Sequence, residues 1–125
     1  MATKTLDAEL RLSTAGTVLG LFGLNTNVVD ALSFDDTSVA SATITTSTSP
    51  TEIYAVGITD IRYVYIQSLS GNADNVLVGE ASGTKYYAIL KPGEFMFLPV
   101  NAAMGIEVKA VTNAPIVEYA WFKQV

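Results

Sequence analysis

The sequence predicts an all-β protein, an antiparallel β-sandwich of the jelly-roll type over residues 39–125 with an extended N-terminal arm over 1–38. Three observations predict it. From residue 39 onward, short runs rich in β-branched and aromatic residues recur at the close spacing of a sandwich or barrel. Residues that tolerate or impose turn geometry stand between the runs. No window carries a convincing helical period, although Asn27–Ser33 has room for one short helical turn.

Taken in order, the arm begins with Leu6, Leu10 and Leu12 among polar residues, and Glu9-Leu10-Arg11-Leu12-Ser13 alternates as a strand does. Thr17-Val18-Leu19-Gly20-Leu21-Phe22 then reads as an apolar strand, followed by Asn25-Thr26-Asn27 and Phe34-Asp35-Asp36. An open apolar edge invites aggregation, so the arm needs a partner, either its own sandwich or a neighbouring subunit. The Ser-, Thr- and Ala-rich stretch over 40–51 reads as one extended strand and its turn. The eight runs are Val39–Thr46, Glu52–Gly57, Arg62–Ser68, Asn75–Gly79, Lys85–Leu90, Glu94–Leu98, Gly105–Val111 and Ile116–Phe122. Eight strands in about 85 residues is the jelly-roll count. Ser70-Gly71-Asn72, Ser82-Gly83, Pro92-Gly93, Pro99 and Asn113-Ala114-Pro115 interrupt them. In Lys91-Pro92-Gly93-Glu94, proline sets one φ and glycine supplies the left-handed position.

Several strands are apolar on both sides. Val64 and Ile66 oppose Tyr63 and Tyr65; Phe95 and Phe97 oppose Met96 and Leu98; Ile116, Ala120 and Phe122 alternate with Val117, Tyr119 and Trp121. A lone two-sheet sandwich asks for one polar face per strand. The composition agrees: 50% of residues are hydrophobic and only 15% charged, against about 25% charged in ordinary soluble domains. A chain this short buries only about two thirds of its surface. Apolar side chains are therefore left for neighbours to cover, and a homo-oligomer or docked subunit is expected rather than an ordinary Ala- and Thr-rich monomer. The candidate contact residues are Leu19, Leu21 and Phe22 of the arm, with Tyr63, Tyr65 and Trp121 from the doubly apolar strands.

Membrane burial fails on length, because the most apolar window, Ala15–Leu24, is about half of what a spanning helix needs. The N-terminus lacks the basic start and apolar core of a signal peptide. Net charge is −5 and the seven basic residues are scattered singly, so a phosphate-neutralising surface for nucleic acid is not expected.

Chemistry is bounded by two absences. The chain has no histidine and no cysteine, which removes Ser-His-Asp and Cys-His triads, the histidine base and the usual zinc and iron sites. Asp35 and Asp36 are adjacent and point apart on a strand, while Glu80, Glu94, Glu107 and Glu118 sit singly. Asn72-Ala73-Asp74-Asn75 has oxygen donors but no acidic cluster, and reads as a turn rather than a calcium loop. In Gly79-Glu80-Ala81-Ser82-Gly83 the serine stands one position late for a nucleophile elbow, and no base is at hand. A non-enzyme with no cofactor and no metal is expected. Binding is the expected activity.

The stretch Tyr63-Val-Tyr-Ile-Gln-Ser-Leu-Ser-Gly, then Asn75-Val-Leu-Val-Gly, Tyr86-Tyr-Ala-Ile-Leu-Lys-Pro-Gly-Glu and Phe97-Leu-Pro-Val resembles small jelly-roll virion proteins of tailed bacteriophages. The likeness covers roughly residues 62–122 and is carried by turn and strand residues. It implies a structural role in the virion. The first form is a capsid decoration (cement) protein, commonly a homotrimer, whose partners are copies of itself and the major capsid protein or neighbouring virion subunits. The alternative it implies is a tail, baseplate or fibre component that binds a carbohydrate or receptor, with Tyr86, Tyr87 and Trp121 available to stack on sugars.

Overall fold

Antiparallel pairing joins every strand of the computed structural model, which describes residues 3–12, 26–35, 39–83 and 85–124. The strands are β1 (Thr3–Leu12), β2 (Thr26–Asp35), β3 (Val39–Thr45), β4 (Thr51–Tyr54), β5 (Ile61–Ser68), β6 (Val76–Gly79), β7 (Tyr86–Leu90), β8 (Phe95–Pro99), β9 (Ile106–Ala110) and β10 (Ile116–Lys123). A 3₁₀ turn, Ala102–Met104, precedes β9.

The last eight strands form two four-stranded sheets, ordered β3-β10-β5-β8 and β4-β9-β6-β7. Their pairings are nested: β6 with β7, β5 with β8, β4 with β9 and β3 with β10. One long antiparallel ribbon is thus rolled until β10 meets β5 and β9 meets β6. That is the jelly-roll path. All eight runs expected from the sequence are strands, with each end unchanged or shifted by at most three residues.

Between the sheets lies the core, built from Val64 and Ile66 of β5, Val76 and Val78 of β6, Val108 of β9 and Val117 of β10, all essentially inaccessible to water. Branched aliphatic side chains fill the space between two pleated faces in few rotamers. Ile53, Tyr54, Ile61, Leu90 and Ile106 close its ends.

The turns carry the chemistry their geometry asks for. Gly93 holds φ 87° and the Glu94 amide donates to the Lys91 carbonyl at 2.9 Å, a Pro-Gly type II turn. Between β6 and β7 the left-handed residue is Ser82 (φ 61°) rather than the glycine beside it. At Gly105, φ is +70° and a Cβ would stand 2.7 Å from the Ala81 Cβ and 2.8 Å from the Val56 nitrogen, so no other residue fits.

The arm gives one correction. Asn27–Ser33 forms no helical turn; it lies inside β2, which pairs with β1 over ten residues from Thr3↔Asp35 to Leu12↔Thr26. A partner strand satisfies alternate backbone groups along β2, whereas a lone helical turn leaves nearly all of its own open. The expected apolar strand Thr17–Phe22 lies outside the described residues.

A candidate protein-docking face

Register assigns each side chain of β5, β8 and β10 to a face. Tyr65 is opposite Phe97 and Ala120, and Tyr63 is opposite Pro99 and Phe122. These side chains, with Phe95 and Gln67, share the outer face of the β3-β10-β5-β8 sheet. Val64, Ile66, Met96, Leu98, Val117, Tyr119 and Trp121 share the inner one. The doubly apolar strands thus supply a core and, on the other side, a second apolar surface.

That surface is organised. Tyr63 and Phe97 stack with ring centroids 5.9 Å apart and planes 13° from parallel, an arrangement worth about 0.5–1.5 kcal/mol beyond area. The Arg62 guanidinium lies 5.0 Å from the Tyr63 ring centroid. The Tyr65 hydroxyl donates to Gln67 Oε1 at 2.8 Å. Burial, and then the Glu118 carboxylate, push the Tyr65 phenol above its ordinary pKa. Phe95 is 62% exposed, the most exposed large apolar residue described.

The β1–β2 hairpin is laid over this face. Leu6, Ala8, Leu10 and Leu32 fall on one side of the hairpin by register, and together with Asp30 they line a groove against Tyr63, Tyr65, Phe95, Phe97 and Phe122. The groove has a volume of about 730 Å³ and includes Asp7 and Glu9 in its wall. Leu6, Ala8 and Leu32 are half-buried there, while Leu10 remains exposed. The hairpin covers the aromatic face without filling the space above it.

The other sheet faces outward differently. Its outer positions include Glu52, Leu77, Tyr86, Ile89, Glu107 and Lys109. Glu107 is buried and accepts two hydrogen bonds, from the Ser82 amide at 2.8 Å and the Tyr86 hydroxyl at 2.7 Å. Burial first, then this bond and the carboxylate charge, raise the Tyr86 pKa. The Lys109 ammonium sits 5.4 Å from the Tyr86 ring centroid. A Cβ on Gly79 would lie 2.8 Å from that ring, so the glycine makes room for the tyrosine. Glu107 therefore fastens the β6–β7 turn.

Of the residues singled out in the sequence, Tyr63 and Tyr65 meet on the outer aromatic face. Trp121 does not join them. It faces inward and packs against the core, with the Lys123 ammonium 5.8 Å from its ring centroid. Leu19, Leu21 and Phe22 lie outside the described residues. Tyr86, Tyr87 and Trp121 form no common platform: Tyr86 is bonded to Glu107, Tyr87 is exposed elsewhere, and Trp121 is inside. Phe95, Phe97 and Phe122 were readable as parts of doubly apolar strands. Which side they faced depended on pairing, and period two by itself does not name the outer side.

Among the described residues, no three Asp, Glu, His or Cys side chains converge as a metal cage. No protein-family profile matches the chain, and neither does any curated protein. The fold is similar to a solved structure from work describing Bacillus endospore appendages as a novel family of disulfide-linked pili. The TM-score is 0.50 at 14% identity, over 70% of this chain and 87% of that one. The likeness is one of fold: the present sequence has no cysteine with which to form such a linkage.

Proposed function

We propose that this protein is a structural virion subunit, a decoration (cement) protein that binds and stabilises neighbouring capsid subunits rather than catalysing a reaction. The observation that carries the proposal is the asymmetry of the two outer sheet faces. One is mixed, with Leu77 and Ile89 beside Glu52 and Lys109, and its tyrosine Tyr86 is bonded to Glu107; the other presents Tyr63, Tyr65, Phe95, Phe97 and Phe122 beneath a hairpin that leaves a groove open. Aromatic side chains give contact area at low entropic cost and are enriched in interface cores. An assembly that engages several such faces at once gains through effective concentration, so each contact can be modest. The homotrimer and the capsid partner come from the resemblance of residues 62–122 to tailed-phage virion proteins.

The test is co-sedimentation with purified capsid shells lacking the protein. The whole chain is expected to pellet with shells. Deletion of residues 1–38, and separately Phe95→Ser with Tyr65→Ser, is expected to leave it in the supernatant while the sandwich stays folded. Shell binding unaffected by all of these changes defeats the proposal. A tail, baseplate or fibre component with a carbohydrate- or receptor-binding role is the second reading, favoured by a second, mainly apolar pocket that Tyr54 and the exposed Tyr87 line.

A further inference from the structure

Two strand edges with no partner among the described residues border the groove beneath the hairpin: β8 pairs only with β5, and β1 only with β2. The groove reaches these edges and not the faces alone. β5 and β10 contribute alternate residues to its lining, Tyr63 with Tyr65 and Ala120 with Phe122, as a sheet face does. β1 contributes all of residues 6–10, and β8 contributes Met96 between Phe95 and Phe97. On β8 the free backbone groups can be named. The Ser68 amide donates to the Glu94 carbonyl at 2.9 Å and the Val100 amide to the Arg62 carbonyl at 3.0 Å, so the even-numbered residues of β8 face β5. Phe95 and Phe97 therefore turn N–H and C=O toward the open side, and Pro99, with no N–H, ends that row of donors.

We infer that this groove receives one extended segment of a different protein, with lysine or arginine alternating with apolar residues, as a strand added to β8 alongside β1. The inference rests on the docking proposal for the same face and names the chemistry of the partner. Unpaired edges are templates for added strands, whose backbone bonds give affinity while alternate side-chain sites give specificity. Apolar side chains of the added strand meet Tyr65, Phe95 and Phe97. Its other positions are selected by charge, because the described lining holds Asp7, Glu9 and Asp30 and no lysine or arginine. By period two, Asp7 and Glu9 stand on the side of β1 opposite Leu6, Ala8 and Leu10, beside the outward, basic positions of the added strand. Glu118 lies near enough to Tyr65 to disfavour ionisation of that phenol, so the aromatic floor has a field of the same sign. A second copy does not fit. Its hairpin brings the same carboxylates, and no two basic residues of the chain stand closer than six positions, Lys85 and Lys91 being that pair.

NMR of the whole chain, titrated at low salt with a capped heptapeptide of alternating lysine and valine, tests it. A Kd below about 1 mM is expected, with shift changes and slowed hydrogen exchange at the Phe95 and Phe97 amides. Affinity should fall roughly tenfold at about 0.5 M salt, where surface charges are screened. The same peptide with glutamate for lysine should not bind. Nor should a lysine peptide N-methylated at alternate residues, which keeps its side chains and loses the donors to β8. Asp7→Asn with Glu9→Gln, both at exposed positions, should weaken binding roughly fivefold and leave Tm unchanged. The lysine peptide should also displace the protein from shells. No binding of that peptide, equal binding of the glutamate or N-methylated one, or protection confined to residues outside β8 overturns the inference, and shell binding that persists then leaves the docking proposal standing without it. Peptide binding at Phe95 and Phe97 with no pelleting by shells supports the added strand and defeats the capsid partner.

Discussion

Single side chains bear the strain points and the bonds that tie loops to the sandwich. Asn72 is the clearest: its Nδ2 donates to Ser68 Oγ at 3.0 Å and to the Ile116 carbonyl at 2.8 Å, while its Oδ1 accepts from the Ile116 amide at 2.8 Å. It acts as a substitute for a strand residue where β5 ends and β10 begins. Asn72→Ala is expected to cost about 1–3 kcal/mol, because Ser68 is left buried without its donor; urea denaturation with unchanged m-value would measure it. Tyr54 gives a pH dependence. Its pKa is pushed up to about 12, by burial first and by Tyr87 second. The folded state therefore keeps a proton that the unfolded chain sheds from about pH 10 upward. Stability is unaffected below pH 10 and falls between about pH 10 and 12, by on the order of 2–3 kcal/mol from this residue. Tyr54→Phe should flatten that part of the alkaline limb, leaving only the contributions of the other tyrosines. Equal slopes in chemical denaturation at pH 9 and 11 for both proteins would refute the assignment.

At the scale of elements, the hairpin and the sheet under it are mutually dependent. β1 and β2 pair only with one another, and an isolated two-stranded hairpin is marginal in water. Its order comes from laying Leu6, Ala8 and Leu32 on the aromatic face. The reverse also holds, since removing the hairpin uncovers Tyr63, Phe97 and Phe122. A variant lacking residues 1–38 is expected to retain the sandwich but to self-associate as concentration rises and to bind a hydrophobic dye. Analytical ultracentrifugation that finds the truncated chain monomeric, with no dye signal, would show that the face needs no cover. Within the sandwich, Thr46 links distant segments in a similar way: its hydroxyl and amide both donate to the Pro115 carbonyl, at 2.7 and 3.0 Å. That double bond to one acceptor fixes where β3 leaves its partner β10.

For the whole molecule, nested pairing sets the folding behaviour. β3 pairs with β10 from Thr45↔Ile116 to Val39↔Phe122, so one sheet cannot close until the two ends of the sandwich segment meet. Loop-closure entropy precedes the reward of such contacts. Refolding is expected on the millisecond-to-second scale typical of sandwiches. Trp121, the single tryptophan and packed on the core side, is the natural fluorescence probe. Its signal should report sheet closure and should precede any particle binding. Ile66→Ala, at a fully buried core position, is expected to cost about 2–5 kcal/mol and to be read by the same probe.

Local residue chemistry by itself determined the strands and most turns: branched and aromatic runs, Pro92-Gly93 and the breaker at Asn113 name their own conformations, because β propensity and turn geometry are short-range preferences. It also determined that no imidazole or thiol is present to do chemistry. The tertiary structure decided everything that depends on pairing partners. It placed Tyr65 outside and Trp121 inside, turned Asn27–Ser33 into a strand opposite β1, set the hairpin over the aromatic face and buried Glu107 and Tyr54 beside turns distant in sequence. A period-two pattern marks two faces but carries no label for the inner one; only the registry of strands brought together from opposite ends of the chain supplies it.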